Sequence, residues 1–210
     1  MNDSVKKLVE NQFEIVKKNL INNQFAVDVF ESKEDLVPFL KENIKKGSIV
    51  GCGGSMSLVE SGVLGWLEES SDYVFLDRNK TDDVDKVLKQ QLNSDVYLSS
   101  TNALLLSGSL YNIDGRGNRV AALCYGPSKV YIVVGYNKLV NSLEEAEARI
   151  ERHAAIANNI RLNKDNPCVK VGKCVKCNLP STICNSYVYT RRSGIKDRVH
   201  ILLVKESLGY

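Results

Sequence analysis

Long apolar runs are missing from this chain. No stretch of about 18 consecutive apolar residues occurs, and the opening M-N-D-S-V-K-K leads into a polar, amphipathic segment without an apolar signal core. The expectation is therefore a cytoplasmic protein with no membrane partner. Charge of one sign is also scarce. Lys and Arg number 28 against 25 Asp and Glu, and the net +3 is too small to draw the chain to nucleic acid by charge alone. Histidine is limited to two residues, His153 and His200, and neither has a visible partner in the sequence for a Cys–His dyad. Internal repeats and low-complexity linkers are absent. What is present is ordinary for a globular chain: 25% charged and 43% hydrophobic residues in 210. That length forms one domain, 1–210, and buries about 70% of its unfolded surface with no disulfide or metal needed for a core.

Strands and helices alternate through the first two thirds. Val5, Leu8, Val9, Phe13, Val16 and Leu20 recur at helical spacing and make residues 1–24 an N-terminal helix. It packs on the main body or on a second subunit, and the second option would give a homodimer. Phe25 to Phe30 reads as a strand, Lys33 to Lys46 as a helix stopped by Gly47, and Ser48 to Val50 as a second strand. Met56 to Leu67 is expected to be helical. Tyr73 to Asp77 is a third strand, Thr81 to Leu92 a helix with acidic residues in its first turn, and Val96 to Ser100 a fourth strand. Lys129 to Gly135, K-V-Y-I-V-V-G, is apolar on both faces, as at the centre of a parallel sheet. A capping box at Ser142 to Glu145 opens a helix that buries Leu143, Ala146, Ile150, Ala154 and Ala157. Ser186 to Thr190 and His200 to Val204 are the last strands. The pattern predicts an α/β fold with a mostly parallel sheet flanked by helices.

Two glycine-rich segments stand out from this pattern. Gly51-Cys52-Gly53-Gly54-Ser55 lies between a strand and a helix, the order that brings backbone amides to an anion. It lacks the Lys-Ser/Thr of a Walker loop, and Met56 replaces the third glycine of G-x-G-x-x-G, so a plain tight turn is the alternative. Thr101 to Arg119, T-N-A-L-L-L-S-G-S-L-Y-N-I-D-G-R-G-N-R, has almost no amphipathic period. Its Asp114-Gly115 and Gly117-Asn118 pairs accept positive φ, and turns there bring backbone N–H groups, Arg116 and Arg119 to one place. A β-hairpin accounts for the same residues, with Leu110 to Ile113 turning at Asp-Gly and returning through Val120 to Leu123. The two readings are compatible.

The candidate residues for a small anionic ligand are Gly51, Gly53, Gly54, Ser55, Thr101, Asn102, Asp114, Gly115, Arg116, Asn118, Arg119 and Lys138. Proton transfer has only Glu60 and Asp114 to offer, and each has a plainer role, as a surface residue and as the cap of its own turn. Arg116, Arg119 and Lys138 suit charge complementarity to a carboxylate or phosphate, with an Arg119–Asp114 pair as the alternative for Arg119. No catalytic residue is assigned.

In a reducing compartment six cysteines point to thiols or a metal rather than structural disulfides. Cys168, Cys174, Cys177 and Cys184, spaced x5, x2 and x6 in the loop 167–185, can hold zinc or an iron–sulfur cluster, and the spacing leaves both open. Reduced thiols, or a reversible Cys174–Cys177 disulfide, are the alternative. Cys124 is expected in a buried apolar strand. Cys52 is expected as a small loop residue rather than an activated thiol.

Taken together, Gly53 to Ser55, T-N-A at Thr101 to Ala103, N-I-D-G-R-G-N-R-V-A at Asn112 to Ala121, Gly135-Tyr136-Asn137-Lys138, the Pro167 to Asn185 cysteine segment and the Leu208-Gly209-Tyr210 end resemble the LUD-domain family of lactate-utilisation proteins. The likeness covers nearly the whole chain, and these proteins are similar to the C component of the bacterial three-gene lactate utilisation operon. It implies a fold shared with glucosamine-phosphate deaminases, ribose-phosphate isomerases and CoA transferases, with the ligand over the C-terminal ends of the strands. It also implies iron–sulfur redox partners that oxidise lactate to pyruvate. Ser107 stands where family members often carry an acidic residue, and the cysteine segment marks a subset of the family. Two functions follow: an accessory subunit that binds a small anionic metabolite, or a stand-alone transferase or isomerase acting on a phosphosugar, a CoA ester or a hydroxy acid.

Overall fold

The computed structural model describes residues 2–210. Asn2 caps the first helix α1 (Asp3–Asn22) by accepting the Val5 N–H, and Val9, Phe13, Val16 and Leu20 are its buried stripe. Of the expected apolar face, Val5 and Leu8 are exposed. After α1 come β1 (Ala26–Phe30), a 3₁₀ turn, α2 (Leu36–Asn43) and β2 (Ile49–Cys52). The helix expected over Met56 to Leu67 is broken into α3 (Met56–Glu60) and α4 (Val63–Glu69) at Ser61-Gly62. Next are β3 (Val74–Phe75), α5 (Val84–Gln91), β4 (Val96–Ser99), β5 (Ala103–Leu105), β6 (Ser109–Asp114) and α6 (Asn118–Cys124). β7 (Lys129–Gly135), β8 (Leu139–Val140), α7 (Leu143–Arg149), α8 (Ala155–Arg161), α9 (Pro167–Val171), β9 (Ser186–Thr190) and β10 (Val199–Val204) complete the chain. No described helix is long and apolar enough to cross a membrane.

Six strands form one parallel sheet in the order β1-β10-β7-β4-β2-β3. β7 shows why its sequence is apolar throughout. Val130, Ile132 and Val134 face a core shared with Phe13, Val16 and Leu20 of α1, while Tyr131 and Val133 face a second core with Leu36, Leu40, Leu58 and Leu67. The first helix therefore packs on its own main body. This is the α/β, helix-flanked parallel sheet that the alternating pattern predicts.

Of a second sheet, β8-β5-β6-β9, the sequence reading contains only β9 and the Leu110 to Ile113 part of β6. The sheet corrects the hairpin proposed there. Leu110 to Ile113 does form a strand, but its partners are β5 and β9, and Asn118 to Cys124 is a helix instead of a returning strand. Gly117, at φ 82°, turns the chain directly from the β6 end into α6. The same helix moves Cys124 out of the core: it is exposed at the helix end. Ala103, Leu105, Tyr111 and Ile113 of the small sheet pack on Ala146, Ile150 and Ala154. Between α7 and α8 a π-helical turn, Ile150–Ala154, shifts the helix phase, so Ile156 and Asn159 turn inward rather than Ala157. Leu143 at the start of α7 is exposed.

Candidate functional site

The parallel strands β2, β4 and β7 all end on one side, and the small sheet stands beside those ends. Between them lies a cleft of about 630 Å³, the position where α/β sheets receive ligands. Gly54, Ser55, Thr101, Asn102, Asp114, Gly115, Arg116, Asn118, Arg119 and Lys138 all line it, so the two glycine-rich segments do meet. Gly51 and Gly53 are not in the wall. A Cβ on Gly51 would press on Gln91 and Tyr97, and one on Gly53 on Arg119 and Ser99, so these glycines admit neighbouring side chains to close packing.

Arg119, from the first turn of α6, is a buried strut. Nη1 donates to Ser100 O and Asn112 Oδ1, Nη2 donates to Asn102 Oδ1 and Ile113 O, and Nε lies 3.3 Å from Asp114 Oδ2. All five N–H donors of the guanidinium are thereby directed at protein partners. Asp114 Oδ1 in turn accepts the backbone N–H groups of Arg116 and Gly117 at 3.1 and 2.8 Å, capping its own turn. Arg149 is a second strut, donating from Nε to Asn137 O and from Nη1 to Asn102 O.

The cations that face the cleft with donors to spare are others. Arg78, Arg161 and Lys164 line it and take part in no ion pair among the described residues. A Cβ on Gly54 would collide with Arg78 Nη2 and come within 3.8 Å of Arg161 Nη2, so both guanidinium groups converge over that glycine. Arg161 is steadied by Asn158 Oδ1 at 3.1 and 2.8 Å. Arg116 sits at the rim and pairs with Asp85 at 2.9 Å. Two guanidinium groups brought together without a carboxylate repel each other, and an anion between them removes the repulsion. The sequence reading missed all three cations. Arg78 follows the third strand, and the rule that ligands gather at strand C-termini could have flagged it. Arg161 and Lys164 reach the cleft only by tertiary packing of α8.

Lys138 lies deepest, on a 3₁₀ turn after β7, and is 3% exposed. Its Nζ is 2.9 Å from Ser57 Oγ and 2.9 Å from Ser100 Oγ. Burial, and then the charges of Arg149 and Arg119, lower its pKa to about 7, with Glu60 pulling the other way. Glu60 itself is exposed and accepts the Gly209 N–H at 2.7 Å. Tyr210 closes one side of the cleft.

The four spaced cysteines form a looser group. Burial, and then the charges of Cys174, Cys168 and Cys177, push the Cys184 thiol up to about 11, so these sulfurs lie within electrostatic reach of one another. Even so, no three His, Cys, Asp or Glu side chains among the described residues make a group that could hold a metal ion. The donor chemistry suits a soft centre; the spacing of the thiols does not fit a single ion. Cys52 is buried in β2 with its thiol pushed up to about 12, which leaves it a packing residue rather than an activated thiol. His153 is exposed on the π turn. His200, in contrast to the sequence reading, has a partner in Asp28 at 2.7 Å, and it sits near the start of β10, away from the strand C-terminal ends that form the cleft.

Parallel strands that end at a cation-lined cleft beside a small second sheet define the class as a helix-flanked α/β protein. Residues 13–204 match the model of the LUD domain, and the chain belongs to that family. In fold it is similar to a DUF162 family protein of Deinococcus radiodurans known from its crystal structure. The two superpose with a TM-score of 0.52 at 15% identity, over 95% of this chain and 97% of that one. None of the curated proteins matches the sequence.

Proposed function

We propose that this LUD-domain protein is an accessory subunit of lactate utilisation that binds a small anionic metabolite and supports the iron–sulfur-dependent oxidation of lactate to pyruvate by partner proteins. The observation that carries the binding is the convergence of Arg78 and Arg161 over Gly54, with no carboxylate paired to either. Membership of the LUD family supports the metabolic setting. The cleft, at about 630 Å³, has room for more than a three-carbon acid, so phosphorylated and CoA-linked acids belong among the ligands tried.

The four-cysteine segment enters the same proposal. Thiolates suit zinc and iron–sulfur centres alike, and the lactate-oxidation setting of the family favours the cluster. Cys168, Cys174, Cys177 and Cys184 would be its ligands, and its chemistry is one-electron transfer.

Calorimetry tests the binding. Titrating lactate, pyruvate, sugar phosphates and acyl-CoA into the parent and into an Arg78→Ala/Arg161→Ala variant should show at least one ligand whose affinity falls about 100-fold in the variant, near 1.4 kcal/mol for each lost guanidinium. Equal affinity in both proteins for every ligand bound would refute the site.

A further inference from the structure

The fold brings two serines and a lysine from three separate elements to one point on the cleft floor. Ser57 lies in α3, Ser100 directly follows β4, and Lys138 is on the turn after β7. Ser100 and Lys138 line the cleft, whereas Ser57 is sealed behind them at 0% exposure. Lys138 Nζ lies 2.9 Å from each hydroxyl, and the two hydroxyls are 3.3 Å apart. No carboxylate stands within ion-pair distance of this amine among the described residues.

The hydrogen-bond directions follow from the surroundings. Ser57 Oγ donates its one proton to Leu208 O at 3.1 Å, so it accepts from Lys138. Ser100 has a longer option, Thr101 O at 3.3 Å, and a shorter one, Lys138 Nζ at 2.9 Å. A neutral amine has one lone pair, and the hydroxyl open to the cleft is the one placed to donate to it. Ser57 thus positions the amine, and the amine faces the Ser100 proton. The charged groups around Lys138 are Arg149 from α7, Arg119 from α6 and Glu60 from α3, and burial together with the two arginines favours the neutral amine near pH 7.

We propose that Ser100 is a nucleophile and Lys138 its general base, and that the cleft accepts the acyl group of an anionic ester or thioester onto the Ser100 hydroxyl. As Ser100 Oγ bonds to the acyl carbon, its proton passes to Lys138 Nζ. The bond from that carbon to the leaving oxygen or sulfur then breaks, and the leaving group takes the proton from Lys138. Water repeats the sequence on the acyl-serine, which releases the acid and restores both side chains. The charge of the substrate rests on the cleft proposed above for anionic metabolites; the Ser100–Lys138 pair does not.

An uncharged serine reagent separates the two. Phenylmethanesulfonyl fluoride should form one adduct, located on Ser100 by peptide mass spectrometry, at a rate that rises with pH through about 7. Lys138→Met and Lys138→Arg should slow labelling at least ~100-fold, and Ser100→Ala should abolish it. Ser57→Ala should keep the adduct on Ser100 and move its pH profile. Anion binding, read by calorimetry on the same parent protein, stands or falls separately from the adduct. Absence of any Ser100 adduct in the folded parent across neutral and mildly alkaline pH would overturn the proposal. So would an unchanged rate and pH profile in a folded Lys138→Arg or Lys138→Met protein.

Discussion

Arg119 Nε stands 3.3 Å from Asp114 Oδ2, and both side chains are nearly enclosed, 13% and 8% exposed. The carboxylate fixes the β6–α6 turn through two backbone N–H groups, and the guanidinium ties that turn to Asn102, Asn112 and Ser100. Removing the arginine leaves a buried carboxylate without its counter-charge and several acceptors without their donor. Arg119→Ala should cost about 3–5 kcal/mol, read as a lower urea midpoint, and Arg119→Lys should recover only part because a single ammonium cannot replace five fixed donors. A variant as stable as the parent that lost only ligand affinity would make Arg119 a ligand-binding group instead.

Neighbouring glycines give opposite expectations. A Cβ at Gly53 meets Arg119 Cδ at 3.0 Å and Ser99 Oγ at 3.1 Å, and Arg119 is held too firmly to yield. Gly53→Ala should therefore destabilise by about 1–3 kcal/mol. A Cβ at Gly54 meets the ends of two flexible side chains, Arg78 and, at 3.8 Å, Arg161, and these can swing aside. Gly54→Ala should fold normally and bind anions about tenfold more weakly. Urea unfolding and calorimetry on the two variants check both halves, and the reverse pattern would contradict the assignment.

The cysteine loop gives a compositional prediction. Protein purified without air should carry iron and acid-labile sulfide with a broad visible band, and changing Cys174 and Cys177 together to Ser should remove them. Stoichiometric zinc without colour would make the loop a staple. Metal-free protein with its thiols reactive would leave the reduced-cysteine reading.

How much of this was legible beforehand depended on range. The parallel sheet was readable because β7 is apolar on both faces and the helices between strands carry their own caps and stripes. The small sheet was largely not, since β5 is three residues long and pairs on one side with the adjacent β6 and on the other with the distant two-residue β8, which no local period encodes. The cleft's glycine turns, Asp114 and Lys138 were legible from turn chemistry and from family likeness. Arg161, Ser57 and Ser100 were not, because each sits in an unremarkable local sequence and reaches its partners only through tertiary packing. The burial of Lys138 was hidden for the same reason, because nothing in Gly-Tyr-Asn-Lys encodes it.

That burial has its own signature in stability. The Lys138 pKa is about 7 in the folded protein against an ordinary value of 10.5. Between those values the unfolded chain holds a proton that the folded protein does not. Stability therefore rises with pH across this window, by up to about 1.4 kcal/mol per pH unit from this one group. Below about 7 both states are protonated and the penalty is constant; above 10.5 neither is, and it vanishes. Lys138→Met has no such proton. The difference in unfolding free energy between the two proteins should favour the variant near and below pH 7 and shrink steadily as pH rises, which cancels the cysteines and tyrosines that titrate in the same range. Parallel curves would mean that Lys138 stays charged in the folded state, and it would then bind anions rather than take a proton from Ser100.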